Sequence, residues 1–156
     1  MRQPVPVEVS ARTELPARAL WQTLADPFSF NEWVAGTKHI RAADRCWPHV
    51  GTALHHRWGL WPVRVRDRTV VTCCDPPSRL DLDARARPIA VVEVSIRLCD
   101  TAHGTLVTLR ETIVAGVAAH VPRIAAAIQR RRNRRSLDCL VRLTAARARR
   151  NPRAVP

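Results

Sequence analysis

Apolar and polar residues alternate at the start of the chain, with the period of two that is typical of a half-buried strand. The apolar members of this repeat are Val5, Val7, Val9 and Ala11. Two short helices are predicted next, over residues 17–24 and 28–33, because Pro16 suits a first helical turn and Asp26-Pro27 separates the two segments.

The alternation returns after the second short helix and continues to about residue 114. The strand candidates are residues 38–44, 52–60, 63–74, 79–85, 89–99 and 105–114. Proline, glycine or both interrupt the pattern between them, which marks turns. Because these connections are short, we predict that consecutive strands pair antiparallel.

Helical spacing begins after Gly116 and predicts one long helix from about residue 118 to residue 147. Its expected apolar stripe is Val121, Ile124, Ala125 and Ile128, continued by Ser136, Cys139, Leu140 and Leu143. A single sheet covers one side of such a helix, so the economical packing is a curved sheet wrapped around it, with a cavity between them. We expect one domain over residues 1–148 and a basic, disordered tail over residues 149–156.

Several short motifs occur along the chain in a characteristic order. They are Val9-x-Ala11, Leu15-Pro16-Ala17, Leu20-Trp21, Leu24-x-Asp26-Pro27, Trp33, Asp75-Pro76-Pro77-x-Arg79-Leu80, Gly104-Thr105-x-Val107-Thr108-Leu109-x-Glu111 and Arg132-Asn133-x-x-Ser136-Leu137-x-x-Leu140. Over about residues 5–147 the chain thereby resembles the START-like (SRPBCC) superfamily, also called the polyketide cyclase/dehydrase and lipid transport family.

The resemblance implies an α+β helix-grip fold. In this fold a curved antiparallel sheet of about seven strands wraps around a long C-terminal helix, and two short helices follow the first strand. The superfamily hosts carriers, cyclases, hormone receptors and toxins on one scaffold, so the resemblance predicts the fold better than the function.

Strand parity selects the residues expected to face the cavity. The candidate ligand-binding residues are Trp33, Leu54, His56, Trp58, Val65, Asp67, Leu82, Val94, Leu109, Glu111, Ile124 and Ile128. Three of them, His56, Asp67 and Glu111, are polar groups on otherwise apolar faces. They are candidates for acid–base catalysis, or they are structural residues that bond backbone or water. A buried carboxylate needs a partner or a ligand in either case.

The basic charge is concentrated near the C-terminus. Residues 123–156 hold eleven arginines and one acid, Asp138, and so carry +10 of the formal net charge of +13. The run at 130–135 is either a solvated helix face, a contact for RNA or the ribosome, or a membrane-surface anchor. Its candidate contacts for an acidic partner are Arg130, Arg131, Arg134 and Arg135.

Other classes of site are not indicated. The five cysteines show no Cys-x-x-Cys spacing, and the adjacent His55 and His56 point to opposite faces of a strand, so we expect neither a metal nor a cofactor. The chain has no run of roughly 18–20 apolar residues and begins without a signal-peptide core, which predicts a cytoplasmic protein.

Three functions remain open. The leading hypothesis is binding of a small hydrophobic molecule, such as a lipid, polyketide or aromatic metabolite, for carriage or sequestration. The second is a polyketide aromatase/cyclase-type enzyme. The third is a ribosome- or RNA-associating, toxin-like protein that uses the basic helix. The sequence does not indicate the oligomeric state.

Overall fold

The computed structural model describes residues 4–36, 40–60, 63–86, 89–120 and 122–150, with the backbone alone for residues 56–60, 63–67 and 86. Seven strands lie in these ranges: β1 (Val7–Thr13), β2 (Ile40–Ala43), β3 (Ala53–Leu60), β4 (Val63–Asp75), β5 (Arg79–Ala86), β6 (Ala90–Thr101) and β7 (Gly104–Ala115). The helices are α1 (Ala17–Ala25), α2 (Phe30–Trp33) and α3 (Pro122–Arg150), with 3₁₀ helices at Pro27–Ser29 and Val117–His120.

The strands form one curved antiparallel sheet in the order β1-β7-β6-β5-β4-β3-β2. From β2 to β7, each strand pairs with the strand that follows it in the chain. At the other edge of the sheet, β1 pairs with β7. The pairing register shifts once between β2 and β3, once between β4 and β5 and once between β6 and β7, and such bulges bend a strand. The predicted α+β helix-grip architecture is confirmed, and each predicted strand differs from the observed one by at most two residues at either end.

The hydrophobic core lies between the concave face of the sheet and the helices. Its fully buried members include Leu20, Leu24, Leu54, Leu80, Ile96, Leu137 and Leu140. Aromatic side chains fill one end, where the Phe30 ring centroid lies 4.9 Å from that of Trp33 and 5.5 Å from that of Trp47. Burial of each large apolar side chain contributes about 1.5–3 kcal/mol to the free energy of unfolding, which makes this hydrophobic core the main source of stability.

The predicted orientation of the first turns of α3 is wrong. Ile124 and Ile128, expected to face the cavity, are each 64% exposed. The buried residues of α3 are Gln129, Asn133, Ser136, Leu137, Leu140 and Thr144. The helix therefore turns polar residues towards the sheet over its first half, and the apolar pattern there follows the outer face. Of the other expected stripe residues, Ser136 and Leu140 are buried, Ala125, Cys139 and Leu143 are half-buried, and Val121 lies outside the described residues.

The helix also continues beyond its predicted end, through Arg149 and Arg150. The first two residues of the expected tail are thus helical. The rest of that segment, residues 151–156, lies outside the described residues.

A substitution in the turn between β6 and β7 provides the first test of the fold. Gly104 has a φ of +122°, and a Cβ there would collide with the carbonyl oxygen of Thr13 at the end of β1. We expect Gly104→Ala to lower the free energy of unfolding by at least about 2 kcal/mol, because strain and backbone overlap add.

The matched control is Gly51→Ala. Gly51 also has a positive φ, +87°, but a Cβ there meets nothing within 4 Å. Gly51→Ala should therefore lower the free energy of unfolding by only about 1 kcal/mol. Urea unfolding measures both variants, and equal losses would contradict the close approach of β1 to this turn.

Candidate functional site

Five residues stand directly opposite one another in adjacent strands and form a row across the sheet. In order from β4 to β1 they are Val71, Leu82, Val94, Glu111 and Val7. The row contains three of the predicted ligand-binding residues, Leu82, Val94 and Glu111. Glu111 is its one charged member and is 7% exposed.

Two side chains from α3 bind the Glu111 carboxylate, and one of them, Arg132, balances its charge. The Arg132 Nη2 atom lies 2.5 Å from Glu111 Oε2, and Gln129 Nε2 donates to the same oxygen over 3.2 Å. The sequence predicted that a buried Glu111 needs a partner. That partner comes from within the arginine run. We call Glu111, Gln129, Arg132 and Asn133 the polar cluster.

The polar cluster joins the sheet to the helix. An unpaired buried carboxylate costs several kcal/mol, whereas charge-assisted hydrogen bonds recover much of that cost. The Arg132 side chain is 38% exposed, so solvent weakens the ion pair below the strength of a fully buried one. The contact still constrains the rotation of α3, because turning the helix away would leave the carboxylate without a cation.

A cavity of about 340 Å³ lies beside the cluster, at the end of the molecule where α3 begins. It is lined by Pro4, Val5, Ile113, Val114, Ala118, Ala119, Pro122, Arg123, Ala125, Ala126 and Gln129. Most of these side chains are small and apolar, and Gln129 supplies the link to Glu111. The volume falls at the lower end of the range of small-molecule sites, roughly 300–1,000 Å³.

Two buried hydrogen-bond donors have no acceptor within the part of the chain that the structure describes. They are Trp33 Nε1 and Asn133 Nδ2, on side chains that are 3% and 1% exposed. Asn133 lies one turn along α3 from Gln129, on the same buried face. Buried donors are nearly always bonded, so each of these is suited to an acceptor oxygen from outside the described residues.

Comparison with known proteins supports the architecture. No protein-family model and no curated protein sequence matches the chain. An AHSA1-like protein from Aeromonas hydrophila aligns with a TM-score of 0.67 at 22% identity, over 92% of this chain and 94% of that one. A protein of unknown function from Staphylococcus aureus aligns with a TM-score of 0.75 at 8% identity, over 94% and 97% of the two chains.

A third solved structure is the di-domain ARO/CYC protein StfQ from the steffimycin biosynthetic pathway. It aligns with a TM-score of 0.74 at 11% identity, over 93% of this chain and 52% of StfQ. The chain has the START-like fold. Identities of this size establish the fold alone, so the function has to be argued from the site itself.

Within the START-like fold the predicted site residues fall into three groups. Trp33, Leu54, Leu82, Leu109 and Glu111 are buried, and Val94 is half-buried. Ile124 and Ile128 face outward. The side chains of His56, Trp58, Val65 and Asp67 lie outside the described residues, although the backbone register of β3 and β4 pairs His56 with Asp67 and Trp58 with Val65.

The sequence interpretation missed Gln129 and Asn133, which with Ser136 and Leu140 mark the buried face of α3. Their spacing of three or four residues was the available signal. It was overlooked because polar residues at helical spacing suggest a solvated face, and two isoleucines mimic a core stripe nearby.

The outer face of the sheet carries a separate charged network. Arg79 and Ser95 both donate to the Asp81 carboxylate, over 2.5–2.9 Å and 2.7 Å. Burial alone would raise the pKa of Asp81, but these hydrogen bonds and the charges of Arg79 and Arg97 outweigh it and hold the pKa below its ordinary value. The network stabilises pairing on the solvated side and does not reach the cavity side.

Two substitutions on α3 test the polar cluster in ligand-free protein. Gln129→Leu removes a donor that Glu111 uses, so it should lower the free energy of unfolding by about 1–3 kcal/mol. Asn133→Leu removes a donor without an acceptor and only a long, 3.5 Å hydrogen bond from Arg132 Nε to Asn133 Oδ1, so it should raise the free energy of unfolding by about 1 kcal/mol.

Urea unfolding at neutral pH measures both effects, with circular dichroism to confirm that each variant keeps its helix content. A loss for Asn133→Leu as large as that for Gln129→Leu would mean that Asn133 Nδ2 is already bonded within the fold.

Proposed function

We propose that the protein binds a small, largely apolar molecule between the sheet and α3, either to carry it or to sequester it. The observation that carries the proposal is the cavity of about 340 Å³ with its apolar lining and Gln129 at its inner side. Burial of apolar ligand surface would supply most of the affinity, at about 25 cal/mol per Å² before the costs of association.

The polar cluster indicates the chemistry of the ligand's other end. Gln129 lines the cavity and links it to the polar cluster, where Asn133 Nδ2 has no acceptor in the described part of the chain and Asn133 Oδ1 accepts from Arg132 Nε over 3.5 Å. A ligand with a carbonyl, carboxylate or hydroxyl oxygen at one end of an apolar body would complement this arrangement. Lipids, polyketides and aromatic metabolites all meet that description.

A cyclase-type enzyme is the second candidate, and the likeness to the ARO/CYC protein StfQ is the observation that favours it. Of its three proposed acid–base residues, the side chain described is that of Glu111. Arg132 and Gln129 both contact the Oε2 atom of this carboxylate, so it is already engaged in a structural contact between the sheet and α3. We therefore favour binding over catalysis.

The third candidate, contact with RNA or the ribosome, requires Arg130, Arg131, Arg134 and Arg135. All four side chains are exposed. Among the described residues the large exposed aromatic is Phe28, which lies in the first 3₁₀ helix rather than on α3, so the helix offers no stacking platform for bases.

The cytoplasmic location remains part of our proposal and is supported by five cysteine thiols that form no disulfide.

The proposal predicts that the protein retains cargo through purification. Solvent extraction followed by mass spectrometry should recover an apolar molecule from the wild-type protein, or native mass spectrometry should show uptake from a lipid extract. Ala126→Phe should abolish either signal, because Ala126 lines the cavity and a phenyl ring would occupy it.

Ala127→Phe is the matched control. Ala127 is the next residue of the same helix, but it is exposed and does not line the cavity, so its binding should equal that of the wild type. An empty wild-type protein that takes up nothing from the extract, or equal binding by both variants, would contradict the proposed site.

A further inference from the structure

The outer face of α3 combines apolar and cationic side chains in one row. Ile124, Ile128, Arg131 and Arg135 follow one another at spacings of four, three and four residues, so they share a face of the helix. Both isoleucines are 64% exposed, and both arginines are exposed. A solvated helix face explains the arginines, but it does not explain two large aliphatic side chains among them.

The exposed arginines on and beside this face make no ion pair within the described ranges. Arg132 pairs with Glu111, and Arg147 pairs with Asp26 and Glu32 at the far end of the helix. In contrast, Arg123, Arg130, Arg131, Arg134 and Arg135 form no ion pair with any residue that the structure describes. The helix has Asp138 as its one acid, so the field on this side is strongly positive.

More apolar side chains are exposed at the same end of the molecule. Val117 is 66% exposed in the 3₁₀ helix before α3, and Ala118 N donates over 3.0 Å to the carbonyl of Ile89, which is itself 49% exposed. Val5 and Val114, also exposed, line the cavity. Exposed apolar residues therefore surround the start of α3 and the opening of the cavity.

We propose that the outer face of α3 docks on an anionic lipid surface. Ile124 and Ile128 enter the boundary between headgroups and acyl chains, and Arg131 and Arg135 contact lipid phosphates. An RNA backbone would satisfy the arginines but leave the isoleucines without an apolar partner, whereas a lipid interface accommodates both. In the described ranges no helix is long and apolar enough to span a membrane, which is consistent with docking in the plane of the surface.

Vesicle flotation tests this proposal without reference to any cargo. Wild-type protein should bind vesicles of phosphatidylcholine containing about one-third phosphatidylglycerol, bind pure phosphatidylcholine vesicles at least tenfold more weakly, and lose most binding in 0.5 M salt. The pair Ile124→Gln/Ile128→Gln should weaken binding to the anionic vesicles about tenfold or more. The pair Arg131→Gln/Arg135→Gln should reduce the preference for anionic lipid by a similar factor.

Matched controls remove the same kinds of group elsewhere. Phe28→Gln/Val50→Gln removes two exposed apolar side chains, and Arg12→Gln/Arg18→Gln removes two exposed charges. Both should bind as the wild type does. Circular dichroism and thermal unfolding establish that all variants are folded, which is expected because every position is on the surface.

Three results would overturn the proposal. One is vesicle binding that is unaffected by Ile124→Gln/Ile128→Gln. Another is binding to poly(U) RNA, but not to vesicles, that responds to the arginine pair alone. The last is self-association in gel filtration that the isoleucine pair abolishes, without any binding to vesicles. Because vesicle binding is measured on the protein itself, its result does not depend on whether the cavity carries a ligand.

Discussion

Glu111 is buried in an otherwise apolar row of the sheet, and from the opposite layer Arg132 balances its charge while Gln129 donates a hydrogen bond to it. A buried carboxylate is costly unless a cation or hydrogen-bond donors meet it, and α3 presents both to Glu111. The contact between Arg132 and Glu111 constrains the rotation of α3 about its axis, together with the buried Leu137 and Leu140. In this orientation Gln129 and Asn133 face the interior, and Ile124 and Ile128 face outward.

The interior face of α3 is more polar than packing against the sheet requires. A purely apolar helix face would bury well against the sheet, yet this one carries Gln129, Asn133, Ser136 and Thr144. Two donors, on Trp33 and Asn133, find no acceptor among the described residues, and such orphaned groups each cost about 1–3 kcal/mol. The proposed binding function would account for this cost, because groups that bond a ligand are unsatisfied without it.

The sequence predicted the strands and their order well, because the period of two between Val92 and Leu98, or between Leu80 and Ala84, is a local signal that the sheet preserves. It also predicted that Glu111 is buried and needs a partner. The identity of that partner was beyond local patterns, since it depends on packing between residues that are 21 positions apart. The phase of α3 was misjudged for a related reason. Ile124 and Ile128 suggested a core stripe, whereas the tertiary requirement of Glu111 selected the stripe of Gln129 and Asn133.

A double-mutant cycle between Glu111 and Arg132 tests this account most directly. Urea unfolding of Glu111→Leu, Arg132→Met and the double variant should give a coupling free energy of about 1–3 kcal/mol, with Arg132→Met alone less stable than the double variant. A parallel cycle with the neighbouring exposed Arg131→Met should be additive to within about 0.5 kcal/mol. Additivity for Glu111 and Arg132 as well would contradict the claim that their ion pair constrains the rotation of α3 on the sheet.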